Sequence, residues 1–296
     1  MTWNPLYDSW RFFARWGMPS LSAVIADGDL DEYDWYVDRD RRDSIRVAGT
    51  TLGRIVAVEG SKARHRACNR WSWAVPAPEA VTAIAALGPI VEIGAGTGYW
   101  ARLLTDAGAD VVAYDHAPPE LHPDLDEWER RRDRFIEPKN QWHPHASTWF
   151  PIIEGDTGAA ADHPDRTLLL CWPPYDSPMG FDAASAYLDA GGRRIVYIGE
   201  PPGGCTGDMA RHQMLGLNVW CDRCEYPSLY DDDPDGPEHT CGAVARCQVV
   251  DEISIPQWAG LHDQVWVAEA TLAASTIGAT SGTTEMPPPG RNPSSG

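Results

Sequence analysis

The stretch PIVEIGAGTGYWARLLTDAGADVVAYD, residues 89–115, decides the fold. Its first apolar run, Ile90 to Ile93, is too short for a helix and stops at a glycine, so it reads as a buried strand. Gly94, Gly96 and Gly98 form a loop, and YWARLLTDA carries apolar residues at helical spacing up to Gly108. ADVVAYD is then a second strand ending at Asp115. Strand, glycine loop, helix and strand in that order predict a parallel α/β unit with its ligand loop at the strand's carboxyl end.

Outward from this unit the alternation continues. PAPEAVTAIAAL, residues 76–87, predicts a helix with Pro78 in its first turn and Gly88-Pro89 after it. RTLLLCW and RRIVYIG read as two more buried strands, with AASAYLDAGG as the helix between them. CQVVDEISIPQW and DQVWVAEATL, joined by AGLH, predict an antiparallel hairpin at the sheet edge. The fold class is α/β, a Rossmann-like sheet with an antiparallel C-terminal hairpin. Three regions follow: an N-terminal helical and basic extension over 1–74, the main domain over 75–273 with a cysteine-rich insertion at about 221–247, and a disordered tail over 274–296.

Three glycines after a strand permit a tight turn and close backbone approach to a ligand. The dinucleotide fingerprint needs its third glycine at position 99, where Tyr99 stands, and no Gly-Lys-Ser/Thr follows for a P-loop. Glu92-Ile93-Gly94-Ala95-Gly96-Thr97-Gly98 instead resembles motif I of the class I S-adenosylmethionine-dependent methyltransferases. The resemblance continues in Asp115 and in Glu154-Gly155-Asp156, and it covers roughly residues 75–200. It implies that Gly94, Gly96 and Gly98 shape the cofactor loop. It also implies that Asp115 takes the ribose hydroxyls, Asp156 the adenine amino group, and Glu92 the methionine ammonium directly or through water. The plainer alternative is a sharp strand–helix turn with no ligand.

Trp172-Pro173-Pro174-Tyr175, at the end of an apolar run, resembles motif IV of the amino-group methyltransferases, where Asp, Asn or Ser precedes Pro-Pro-Tyr. That resemblance implies a catalytic segment in which Tyr175 stacks on a planar target. Trp172 departs from the pattern, because an indole donates a hydrogen bond and cannot accept one. A rigid Pro-Pro turn capping a core strand is the alternative. The expected function is methyl transfer to a nitrogen of a planar or amide-bearing acceptor, a nucleobase included; the rival is a catalytically silent binding protein of the same fold.

Cys221, Cys224, Cys241 and Cys247 have the spacing C-x2-C-x16-C-x5-C and are candidate ligands of a structural zinc, with His239 as a substitute. Reduced cysteines in an insertion loop are the other reading. His116, Glu200, His262 and Asp263 are further candidates for acid, base or clamp near the pocket, and Pro201 to Asp208 is a candidate mobile loop.

Charge sets the remaining limits. The 296 residues carry a net charge of −19 and seven cysteines. Such acidity weighs against nonspecific nucleic-acid binding by the whole surface. Locally, nine cations against three acids between Arg39 and Arg70 make a basic stretch, either a solvated face or a phosphate-contacting patch for a nucleic-acid acceptor. No run of about 18 uncharged apolar residues exists, which excludes a membrane span, and the N-terminus lacks an apolar signal core. An odd cysteine count without a signal predicts reduced thiols and a cytoplasmic setting.

Overall fold

The computed structural model describes residues 3–15, 64–65, 67–121, 137–175, 177–217, 245–258 and 261–271. Helix α1 spans Pro5–Arg15, α2 Pro78–Ala85, α3 Tyr99–Asp106, α4 Met179–Asp189 and α5 Met209–Met214. The strands are β1 Ile90–Ile93, β2 Val111–Asp115, β3 Ile153–Glu154, β4 Thr167–Cys171, β5 Arg194–Gly199, β6 Cys247–Ser254 and β7 Gln264–Ala270. They form one seven-stranded sheet in the order β3-β2-β1-β4-β5-β7-β6. The first five strands in that row run parallel, and β7 is antiparallel to both β5 and β6. This is the Rossmann-like α/β sheet with a C-terminal antiparallel hairpin that the alternation predicts, β7 lying inside the edge and β6 at it.

Burial on both faces explains the unbroken apolar runs. Along each central strand, side chains alternate between two cores. Ile90, Leu169, Val196, Ile198, Val265 and Val267 pack with α2 and α3. Val91, Ile93, Leu168, Leu170, Ile195, Tyr197 and Trp266 pack with α4 and with Met214 and Leu215 at the end of α5. Leu6 of α1 is fully buried in the first of these cores. Leu6, Ala67 and Ala74 of the N-terminal extension therefore share the sheet's core. Tyr99, which stands where a dinucleotide fingerprint has glycine, explains part of this: its hydroxyl donates to Asn4 Oδ1 at 2.9 Å and accepts from Leu6 N at 3.2 Å.

The register brings the strand ends level. Ile93 lies beside Tyr114, and Cys171 beside Ile198. The loops after β1, β2 and β4 consequently leave the sheet on one side, where ligands of open α/β sheets bind. Tail residues 274–296 lie outside the described residues, as do positions 16–63 of the N-terminal extension and 218–244 of the insertion.

Candidate active site

The glycine loop is built by left-handed turns. Gly94 has φ +74 and Gly96 φ +54. Both conformations disfavour a side chain, and at Gly96 space does too, since a Cβ there would lie 2.6 Å from His143 Nε2, whereas at Gly94 it would meet only the movable Met179 methyl. Gly94 N and Ala95 N each donate to Tyr114 O at 2.9 Å. Asp115 completes the link between the two loops: Oδ2 accepts from Gly96 N and Oδ1 from Ala117 N, both at 2.8 Å. Four lone-pair directions on a carboxylate leave it room to accept more.

An open cavity of about 490 Å³ lies over this loop, lined by Gly94, Gly96, Asp115, Asp156 and the whole of Trp172 to Tyr175. That volume is in the range of small-molecule and cofactor pockets. Asp156 is exposed and caps a short 3-10 helix, Thr157–Asp162, with Oδ1 accepting from Gly158 N at 2.9 Å. His116 also lines the cavity.

Two residues of the proposed cofactor loop lie elsewhere. Gly98, at φ +71, is the N-cap of α3 and faces Phe150 and Ile152 rather than the cavity. Glu92 is buried in β1 and lines a separate chamber of about 20 Å³ behind Gly94 and Gly96. Loss of solvent, with the Asp115 charge adding, pushes its carboxyl up to about 8. Its Oε2 and the indole nitrogens of Trp71 and Trp100, all from residues of this chamber, have no hydrogen-bond partner among the described residues. Such a space holds about one water molecule.

At the end of β4, Trp172 takes φ +51, an uncommon conformation for a bulky residue. Three contacts hold it there. Its N–H donates to Ile198 O at 2.8 Å, its Nε1 donates to Asp263 Oδ1 at 2.8 Å, and its ring stacks on Trp73 with centroids 5.2 Å apart. Arg64 lies over both rings, 5.7 Å from Trp73 and 6.0 Å from Trp172. Asp263 is fully buried, and loss of solvent pushes it up to about 7, the Glu200 charge adding and the Trp172 bond opposing. Thus Asp263 acts behind the pocket wall, not on the pocket. His262 beside it turns outward, its side chain 74% exposed. Burial pushes the Glu200 carboxyl up, but hydrogen bonds from Cys205 and His262 outweigh that and hold it below its ordinary value.

The loop from Pro201 to Asp208 is pinned, contrary to the mobility its glycines suggest. Gly207 N donates to Pro173 O at 2.8 Å, Cys205 N to Glu200 Oε2 at 2.6 Å, and buried Arg211 Nη2 to Thr206 O at 3.2 Å. Arg211 lies 3.8 Å from the Tyr197 ring centroid. The loop therefore buttresses the Pro-Pro turn.

Trp73, Asn140, Trp142 and His143 also line the cavity, and sequence reasoning missed them. Asn140 Oδ1 accepts from Trp142 N at 2.9 Å and from His143 N at 3.0 Å, while Nδ2 donates to Ala117 O at 2.9 Å. His143 is buried, which lowers its pKa and keeps the ring neutral. The one signal for this segment was its dense mixture of polar and aromatic residues, Lys139 to His145.

Cys221, Cys224 and Cys241 lie outside the described residues, as does His239. Cys247 is in β6 as a buried free thiol, pushed up to about 11 by burial. Among the described residues no group of three or more His, Cys, Asp or Glu could hold a metal ion, and no helix is long and apolar enough to cross a membrane. Of the Arg39–Arg70 stretch, only 64–65 and 67–70 are described.

No protein-family profile matches the chain, and no curated protein matches it. Among solved structures, magnesium protoporphyrin IX methyltransferase from Synechocystis is similar at 10% identity over 79% of this chain and 94% of that one, TM-score 0.29. A 1,6-didemethyltoxoflavin-N1-methyltransferase from Burkholderia thailandensis is similar at 18% identity over 75% and 91%, TM-score 0.33. The 23S rRNA methyltransferase ErmE is similar at 15% identity over 67% and 69%, TM-score 0.32. Overlaps this loose define neither fold nor function; the strand order of the chain itself defines the fold.

Proposed function

We propose that the protein is an S-adenosylmethionine-dependent methyltransferase acting on a nitrogen of a planar or amide-bearing acceptor, and that Trp172 to Tyr175 form the acceptor side. One observation carries the reading. The strand-end glycines, Asp115, Asp156 and Trp172 to Tyr175, which lie far apart in the chain, line one cavity of about 490 Å³. The donor set suits this cofactor, which offers hydroxyls, an adenine amino group and an ammonium, and has no phosphate. Asp115 and Asp156 would accept from the nucleoside, with Gly94 and Gly96 letting the backbone approach. The Glu92 oxygen that has no partner among the described residues lies on the far side of that loop, so it would act through the small chamber, which has room for about one water molecule.

When bound, the cofactor supplies a methyl group made electrophilic by its sulfonium. The chain's work is positioning: Tyr175 and Trp172 would hold the flat acceptor so that its nitrogen lone pair faces that methyl. Methyl transfer would make the C–N bond as the C–S bond breaks, and an acceptor nitrogen that carried a hydrogen would give that proton to solvent in the open cavity. Trp172 cannot accept that proton, and no carboxylate replaces it at this position.

The test is calorimetry with S-adenosylhomocysteine, followed by labelled methyl donor with separated metabolite, protein and nucleic-acid pools. Micromolar or tighter binding and label in one pool are the expected results; absence of binding overturns the reading. Binding without transfer to any pool favours the silent binding protein, for which the indole at position 172 speaks. Label in nucleic acid would assign a role to the basic stretch between Arg39 and Arg70.

A further inference from the structure

We infer that Asn140 is a positioning residue of the nucleoside subsite, fixing the Asp115 carboxylate in the orientation that a ribose diol requires; this rests on the methyltransferase reading above. Asn140 lies between β2 and β3, outside the motifs that point to the cofactor. It is 6% exposed, and its side chain uses both ends. Nδ2 donates to Ala117 O at 2.9 Å and lies 3.5 Å from Asp115 Oδ1, while Oδ1 accepts from Trp142 N and His143 N.

These bonds close a circuit around Asp115. Ala117 N donates to its Oδ1 and Gly96 N to its Oδ2, each at 2.8 Å. The His143 ring rests against Gly96, and its Nδ1 lies 3.3 Å from Asn69 O. Gly96, Asp115, Ala117, Asn140 and His143 all line the cavity of about 490 Å³. A carboxylate has a broad, soft rotation about its last bond. Here both oxygens are held, and the groups that hold them are tied to each other through Asn140. An amide suits that place because it donates and accepts at once. A carboxylate there would lose the bond to Ala117 O, and an apolar side chain would lose every one. A diol needs two acceptor directions in fixed relation, so it binds more weakly to a carboxylate whose supports are loose.

The test is a double-variant cycle in the full-length protein, with S-adenosylhomocysteine titrated by calorimetry well below the melting temperatures. Asn140→Ala should weaken binding about tenfold. Asp115→Ala combined with Asn140→Ala should bind no more weakly than Asp115→Ala alone, because Asn140 acts through that carboxylate. Asn140→Asp keeps the acceptor for Trp142 N and His143 N but loses the donor, so it should lose binding as Asn140→Ala does. Should Asn140→Ala fail to fold, Asn140→Asp takes its place in the cycle. Hydrogen exchange of the ligand-free proteins supplies a second readout: the Gly96 and Ala117 amides should exchange about tenfold faster in Asn140→Asp than in the unaltered chain. Unchanged affinity in Asn140→Asp, losses that multiply in the double variant, or unchanged exchange at both amides would each overturn the proposal. Faster exchange at both amides in a protein that does not bind S-adenosylhomocysteine would remove the methyltransferase reading and leave Asn140 as the holder of Asp115.

Discussion

Asp115 holds two backbone amides of different loops, and that double duty separates its structural from its binding role. Asp115→Ala should cost roughly 2 kcal/mol of stability, because Gly96 N and Ala117 N lose a charged acceptor. Thermal denaturation reads that loss. Calorimetry well below the melting temperature should show S-adenosylhomocysteine affinity falling by at least tenfold. Glu92 behaves differently. Its carboxyl stands at about 8 in the fold against an ordinary 4.5, so the folded state holds the proton more tightly. The stability it contributes is complete below about pH 4 and is lost as pH rises through 8. Asp263, raised to about 7, acts in the same direction. Glu92→Gln should therefore flatten the fall in melting temperature between pH 4 and 9, and an unchanged slope would place its ionisation elsewhere. Across the pocket, Tyr175→Ala should raise the acceptor KM and lower turnover with cofactor affinity nearly unchanged, since stacking is worth about 1–3 kcal/mol. Trp172→Asp restores the acceptor used by amino-group enzymes but loses the indole bond to Asp263. If it abolishes the native reaction while Tyr175→Ala leaves it intact, the segment is a wall rather than a stacking platform.

Among the elements, α1 is held by groups from several distant parts of the chain, Trp10 Nε1 donating to Gln257 O at 3.0 Å and Asn4 Nδ2, just before the helix, to Pro76 O at 2.7 Å. Leu6, Tyr7 and Trp10 supply the apolar contact, and the Tyr99 hydroxyl bridges Asn4 and Leu6 N from the start of α3. Tyr99→Phe removes both hydrogen bonds while keeping the ring, so about 1–3 kcal/mol should be lost. Hydrogen exchange should show faster exchange in residues 5–11 than in β1 or β4. Uniform acceleration would mean that α1 and the sheet unfold as one unit. The buttress under the Pro-Pro turn is a second local device: loop 201–208 reaches Pro173 through one backbone bond from Gly207. Glycines in that loop suggested motion, but Thr206, Glu200 and Arg211 supply hydrogen bonds that composition does not reveal.

At the scale of the whole molecule, a net charge of −19 loads the surface with self-repulsion. Ion pairs such as Arg194–Glu269 and Arg102–Asp106 are partly exposed and offset little of it. Raising salt from 0.1 M to 1 M NaCl, which shortens the Debye length from about 10 to about 3 Å, should raise the melting temperature. A fall would mean that the attractive pairs outweigh the repulsion.

Strands β1, β2, β4 and β5, helices α2, α3 and α4 and the strand-end loop were legible along the chain because each rests on short-range rules, whereas β3, α5 and the order of strands in the sheet were not. Apolar runs mark strands buried on both faces, glycine marks left-handed turns, and proline marks helix starts. The antiparallel β6–β7 pair was legible for the same reason, from two runs joined by a short turn. The pocket was only half legible. Gly94, Gly96, Asp115 and Trp172 to Tyr175 lie next to strand ends, where local pattern points. Trp73, Trp142 and His143 lie in segments without periodicity, and folding alone brings them to the cavity. The same holds for electrostatics. Glu92 and Asp263 look like ordinary acids in the sequence, and their raised pKa values come from burial, which depends on contacts between residues far apart in the chain.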